Sequence, residues 1–194
     1  MKDLISKYKI ILGSASPRRK ELLSLLGIPF SIELPTNSDE SYPDGTQYNM
    51  IPETIALGKS AGFGRELGED EILITADTMV FCPDHEPLGK PKNSEDAIRM
   101  LHKLSGKTHE VITGVAIRTS KGVTSFSTTT EVTFKELSDK EIEYYISNYA
   151  PYDKAGAYAI QEWIGAAGIT SINGSYFNVV GLPVQRVYEV LRNL

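Results

Sequence analysis

Asp77 follows Ile72-Leu73-Ile74-Thr75-Ala76, an apolar run that reads as a strand buried on both faces and ending abruptly at Asp77-Thr78. Open α/β sheets place their ligand crevices at such carboxyl ends. A carboxylate there can hold a divalent metal, take a proton from an attacking water, or simply cap the next turn through Thr78 or a backbone amide. The stretch Gly13-Ser14-Ala15-Ser16-Pro17-Arg18-Arg19 offers complementary chemistry. Ser16 suits an N-cap and Pro17 the first helical position, so the amides and hydroxyls of Gly13 to Ser16 gather at the positive end of a helix dipole. Arg18 and Arg19 add donors in a fork geometry that matches phosphate oxygens. Together these residues make an anion site, although no Gly-Lys-Ser/Thr of a Walker loop follows. A plain strand-turn-helix with solvated arginines would carry the same residues.

Other candidates are open to two readings each. Glu40 and its neighbour Asp39 lie in the polar loop Thr36 to Ser41. They form either a solvated acidic loop or, with Asp77, the carboxylates that hold magnesium against substrate phosphates. Lys59 and Lys90 are ordinary surface lysines on composition, but Gly89 and Pro91 hold Lys90 in a defined turn, as a functional loop requires. Gln161 ends a segment of small residues around Asp153 and Lys154. Its amide donates and accepts at once, which suits a base edge with a carbonyl and an N–H; the plain alternative is a surface glutamine beside a structural Asp153 to Lys154 contact. His85, His102 and His109 have no metal-pair spacing, and Cys82 has no activating neighbour and reads as a small buried hydrophobe. No Gly-x-Ser-x-Gly elbow surrounds Ser14 or Ser16, so both read as phosphate donors rather than nucleophiles.

The elements that position these groups alternate between strand and helix. A strand over Ile10 to Leu12 leads into a helix over Pro17 to Leu26, with Leu22, Leu23 and Leu26 inward and Gly27 as its stop, followed by a strand over Phe30 to Leu34. A second helix begins near Pro52 and holds Lys59, against the weakening effect of Gly58, Gly62 and Gly64. After the loop Pro83 to Pro91, Asn93 or Ser94 caps a helix with Ala97, Leu101 and Leu104 on one face, ended by Gly106. Thr108 to Thr119 and Val123 to Phe134 flank the turn Ser120-Lys121-Gly122 as an antiparallel hairpin. Ser138-Asp139-Lys140-Glu141 is a capping box for a helix with Ile142, Tyr145, Ile146 and Tyr149 inward. A glycine-rich region, Gly156 to Gly181, precedes a final helix from Pro183 carrying Val184, Val187, Tyr188 and Leu191. Mixed α/β architecture with parallel and antiparallel pairing follows.

Bulk properties narrow the partners. A chain of 194 residues is expected to form one domain. A net charge of −5 argues against nonspecific binding to a nucleic-acid polymer or an anionic membrane. One cysteine and no signal-like or spanning segment point to a reducing cytoplasm, where the Asn173-Gly174-Ser175 sequon has no role.

Six ordered blocks now resemble one family: Ser14-Ala15-Ser16-Pro17-Arg18-Arg19, Ala76-Asp77-Thr78, Gly89-Lys90-Pro91, Leu104-Ser105-Gly106-Lys107-Thr108-His109, Asp153-Lys154-Ala155-Gly156-Ala157-Tyr158 and Gly174-Ser175-Tyr176-Phe177-Asn178-Val179-Val180-Gly181-Leu182-Pro183. Over nearly the whole chain they resemble the Maf family of nucleoside triphosphate pyrophosphatases. The resemblance implies a single domain over 1–194 with a mixed central sheet flanked by helices, two-lobed and elongated, with a deep cleft as in the inosine triphosphate pyrophosphatases. It implies metal-dependent hydrolysis of a nucleoside triphosphate to the monophosphate and pyrophosphate. Asp77 matches the family's catalytic acidic residue, and Ser14, Arg18, Arg19, Glu40, Lys59, Lys90 and Gln161 match polar residues of its active site. Magnesium or manganese would sit at Glu40 and Asp77. Arg18, Thr78 and Gln161 match the base-selecting positions, in the combination of the branch acting on dTTP and UTP. The other readings are a pyrophosphatase for 7-methyl-GTP, a nucleotide sensor without turnover, and an interaction protein of septum formation; a homodimer is an assembly to test. Two stretches depart from the family pattern: Asn37-Ser38-Asp39-Glu40 replaces an Asp-Ile-Asp-Glu-like run, and Glu162-Trp163-Ile164-Gly165 replaces a Gly-Leu-Gly-like turn after Gln161.

Overall fold

The structure is a computed structural model that describes residues 7–37 and 40–194. Its strands are β1 (Lys9–Leu12), β2 (Phe30–Ile32), β3 (Glu71–Phe81), β4 (Pro87–Leu88), β5 (Thr108–Thr119), β6 (Gly122–Phe134) and β7 (Ile169–Asn173). They form a seven-stranded sheet among the described residues in the order β2-β1-β3-β5-β6-β7, with β4 on β3. The sheet is mixed: β1 runs parallel to β2 and β3, whereas β4 pairs antiparallel with β3 and β7 with β6. Among the described residues the α-helices are α1 (Pro17–Ser24), α2 (Ile51–Ala61), α3 (Ser94–Leu104), α4 (Asp139–Tyr149), α5 (Trp163–Gly168), α6 (Tyr176–Val180) and α7 (Val184–Arg192).

The chain divides into two compact units. The first holds residues 1–77, 113–128 and 181–194; the second holds 78–112 and 129–180. In the first, Ile11 of β1 and Leu73 of β3 pack with Phe63 and Leu67, all buried. Helix α2 is tied to this unit at several points. Gly114 on β5 lets it approach so closely that a Cβ there would lie 2.1 Å from the backbone nitrogen of Glu53. The Glu53 carboxylate accepts from Ser125 at 2.7 Å and Ser127 at 3.1 Å, the Thr75 hydroxyl donates to the Ala56 carbonyl at 2.7 Å, and Arg118 donates to the Ser60 carbonyl at 2.6 Å. In the second unit, Leu101 and Leu104 of α3, Ile142, Tyr145 and Ile146 of α4, and Val80, Val132 and Phe134 of the sheet form a larger core. His109 is buried in it. Its Nε2 lies 2.7 Å from the Tyr158 hydroxyl and its ring stacks on Phe134.

Most expected elements form. The Ser138–Glu141 capping box closes reciprocally, Asn93 rather than Ser94 caps α3 by accepting from the Asp96 amide at 2.9 Å, and Cys82 is buried. Helix α1 stops two residues short of Leu26, although Gly27 takes the expected left-handed conformation with φ 64°. The strand after it ends at Ile32, before Leu34. One correction bears on function: β3 does not end at Asp77 but runs on to Phe81, with Val80 and Phe81 buried. Asp77 and Thr78 are polar interruptions of an apolar strand whose β-forming residues, Val80 and Phe81, resume beyond them.

Candidate active site

The surroundings of Asp77 are set by the neighbouring strand. β1 is in register with β3 only as far as Leu12 opposite Ile74, and the Gly13 amide makes one more bond, to the Ile74 carbonyl at 2.8 Å. The chain then turns away. β3 continues past the carboxyl end of β1, leaving Asp77 beside the turn that follows it. A Cβ at Gly13 would come within 2.8 Å of the Thr75 methyl group, so glycine lets this turn leave flush against β3.

That turn is built as expected. Ser16 caps α1, accepting from the Arg19 amide at 3.4 Å, and Pro17 opens the helix. The buried Ser14 hydroxyl accepts from the Ser16 amide at 3.3 Å and from Arg19 Nη1 at 3.3 Å. Arg19 Nε donates to the Gly181 carbonyl at 3.0 Å, which fixes the guanidinium from a second side. Burial pulls the Arg19 pKa below its ordinary value; the charges of Asp77 and Glu40 work against that pull, while Arg18 adds to it. Arginine remains a cation under such a shift, so the turn keeps its positive charge.

Across from the turn, Lys59 on α2 is nine-tenths buried. Its Nζ donates to Asp77 Oδ1 at 2.7 Å and to Glu40 Oε1 at 2.9 Å. The Lys59 and Asp77 side chains are 11 % and 13 % exposed and that of Glu40 is 61 % exposed, so the charge pair is sheltered on one side and open on the other. Two features hold the geometry. The Thr75–Ala56 bond fixes α2 against β3 two residues before Asp77 and one helical turn before Lys59. The amides of Thr36 and Asn37 both donate to the Gly62 carbonyl at 3.1 Å, and a Cβ on Gly62 would sit 2.0 Å from the Asn37 carbonyl oxygen. Thr36 and Asn37 are therefore clamped to the end of the helix that carries Lys59. Asp39 and Ser38 lie outside the described residues.

The first unit thus brings together Ser14, Arg18, Arg19, Glu40, Lys59 and Asp77. Thr78, Lys90 and Gln161 belong to the second unit: Thr78 is half-buried on β3, Lys90 is exposed after β4, and Gln161 is exposed in the turn before α5. Glu40 and Asp77 fit a hard divalent cation as part of its shell, because their oxygens converge on a single positive centre and a substrate phosphate can complete the set. Thr75, Gly62 and the Gly181 carbonyl were not singled out for this role on sequence, and their contributions rest on contacts between segments far apart in the chain.

The sequence comparisons cover nearly the full length. A family model described as Maf-like protein matches residues 9–194. A dTTP/UTP pyrophosphatase of Phocaeicola vulgatus is 55 % identical over 194 residues, covering all of both chains, and one of Bacteroides fragilis is 49 % identical over 190 residues, 98 % of each. Among solved structures, a HAM1 protein from Coxiella burnetii aligns with 66 % of this chain and 73 % of its own at 13 % identity and a TM-score of 0.45. A family match from residue 9 to the last residue, with full-length relatives near half identity, establishes that the chain belongs to the Maf family.

Proposed function

We propose that this protein is a nucleoside triphosphate pyrophosphatase that cleaves dTTP and UTP between the α and β phosphates, releasing the monophosphate and pyrophosphate. The observation that carries the reading is the buried Lys59 ammonium shared by Asp77 and Glu40, opposite a capped, arginine-bearing turn. A triphosphate carries about four negative charges, so a protein of net charge −5 must gather its cations locally to bind one. The substrate assignment draws on the full-length relatives named dTTP/UTP pyrophosphatase.

In this reading Ser14 and Arg19 bind phosphate oxygens, and Asp77 orients the attacking water and takes its proton. Lys59 and Lys90 neutralise the leaving pyrophosphate. Glu40 and Asp77 would hold magnesium or manganese, which when bound supplies charge neutralisation at the phosphates. Arg18, Thr78 and Gln161 read the base. Uracil and thymine both present a carbonyl, an N–H and a carbonyl, an edge that an amide can pair with in part while an arginine donates to a carbonyl. The whole of 1–194 works as one domain. The reading places the enzyme in the cytoplasm with a small-molecule substrate and no nucleic-acid polymer or membrane partner; among the described residues no helix is long and apolar enough to cross a membrane.

The test is kcat/KM for dTTP, UTP, CTP and 7-methyl-GTP, measured by pyrophosphate release. The parent enzyme favours dTTP and UTP. Gln161→Ala lowers kcat/KM for those two by about tenfold or more, the scale of one unsatisfied polar group, and affects the poor substrates less. Lys90→Ala weakens all four alike. Equal losses on every nucleotide for Gln161→Ala remove the base-reading role.

A further inference from the structure

Gln161 sits in a turn whose two ends meet at one oxygen atom. The Glu162 amide donates to the Ala159 carbonyl at 3.1 Å, closing a four-residue turn with Ile160 and Gln161 at its centre. The hydroxyl of Tyr145, on α4, accepts from the Ala159 amide at 3.1 Å and donates to the Glu162 carboxylate. The same carboxylate lies 3.4 Å from Lys154 Nζ, which also binds Asp153 at 2.7 Å. Tyr145 is fully buried, and only 11 % of the Lys154 side chain is exposed. Burial, reinforced by Glu162, pushes the Tyr145 phenol well above its usual range, so it stays a donor. Beyond the turn, a Cβ on Gly165 would lie 1.8 Å from the Ile160 carbonyl oxygen, so the first turn of α5 presses directly on the segment. Glu162 occupies one of the stretches where this chain departs from the family pattern, and the acid found there is held by two partners rather than left in solvent.

We propose that Glu162 is a positioning residue for base selection: with Tyr145 and Lys154 it locks the Ala159–Glu162 turn in the conformation that presents Gln161. The inference rests on the reading of Gln161 as the base-selecting amide. A turn fixed at both ends holds the backbone that carries that amide in one place, which hydrogen-bond discrimination requires. A loosened turn leaves phosphate binding intact, because Gln161 is read as a base-selecting residue and none of the proposed phosphate-binding residues lies in the turn.

The test compares Glu162→Ala, Glu162→Gln and Tyr145→Phe with the parent enzyme and Gln161→Ala, on UTP, dTTP and CTP, with thermal melting as the check on folding. Glu162→Ala and Tyr145→Phe should lower kcat/KM for UTP and dTTP by about tenfold, mainly through KM, and change CTP by less than about twofold. The preference for UTP over CTP then contracts by about fivefold or more. Glu162→Gln should recover most of that preference, since its amide oxygen still accepts from Tyr145. An unchanged preference in folded Glu162→Ala and Tyr145→Phe, alongside a contracted one in Gln161→Ala, overturns the inference and leaves the pyrophosphatase reading standing. Losses uniform across the three nucleotides also overturn it. A parent enzyme with no preference for UTP over CTP removes both.

Discussion

Asp77 and Lys59 depend on each other, and that dependence sets what their substitution should do. Removing one member of a sheltered ion pair usually costs stability because the other is left uncompensated. Here Glu40 still holds the lysine, so Asp77→Asn should fold. Its turnover should fall by about a hundredfold to ten-thousandfold, as expected when a positioned proton acceptor is lost. A folded variant with near-normal kcat would refute the catalytic assignment. His109 carries a different prediction. Burial holds its pKa down to about 3, whereas the unfolded chain takes up the proton near pH 6.5. The unfolded state therefore binds more protons between those values, so the stability is complete above about pH 6.5 and is lost as the pH falls towards 3. Acidification from pH 7.5 to 5.0 should cost about 2 kcal/mol, a Tm drop of about 4–8 °C. His109→Gln, which keeps a polar partner for Tyr158, should show a clearly smaller drop; an identical one would assign the sensitivity elsewhere. Glu71 and Glu141, held at about 2 by Arg65 and by Lys135 respectively, lose their contribution only at lower pH, between their ordinary range and that value. At this scale the sequence was informative about residue type. Ser16 as cap, Pro17 at the helix start and the buried strand before Asp77 are local patterns that the structure realises, although the strand runs on past Asp77. The Gly181 carbonyl beneath Arg19 was not legible, because a backbone acceptor carries no residue signature and lies 162 residues away.

Helix α2 determines where Lys59 sits, and backbone contact determines where α2 sits. Gly114→Ala should push the helix off the sheet, since the added Cβ meets backbone atoms of Pro52 and Glu53 between 2.1 and 2.3 Å away. No side-chain rotation relieves that clash, so about 1–3 kcal/mol of stability should go, with a Tm lower by about 2–4 °C per kcal/mol. The displacement should also lower kcat by moving Lys59 relative to Asp77. Gly89→Ala, where an added Cβ meets nothing within 4 Å, serves as the thermal control. Equal melting temperatures for Gly114→Ala and the parent protein would show that the approach is not tight in solution. Helix periodicity and caps were readable from sequence for α3, α4 and α7, whose buried faces follow the expected spacing. The strand boundary at Asp77 was not, because polar residues inside a strand look like its end when the partner strand is unknown. The glycine-rich stretch hid α5, β7 and α6: its glycines serve close approaches, as at Gly165 and Gly174, rather than loop flexibility.

At the scale of the whole molecule, the proposed polyanionic substrate meets a chain of net charge −5, so its cations must be concentrated locally, and the proposed metal ion would share the load. EDTA should therefore abolish hydrolysis and added magnesium or manganese restore it, with Glu40→Gln raising the metal concentration needed for half-maximal rate by about tenfold or more. Undiminished turnover in chelator would remove the metal from the mechanism. The bond that breaks is the central claim, and the phosphorus spectrum of the products reads it directly. With UTP and magnesium, ³¹P NMR should show UMP and pyrophosphate appearing together as UTP disappears, and should show no such products with Asp77→Asn over the same interval. UDP with orthophosphate would place the cleavage at the wrong phosphate, and an unchanged UTP spectrum would deny the activity; either result contradicts the account.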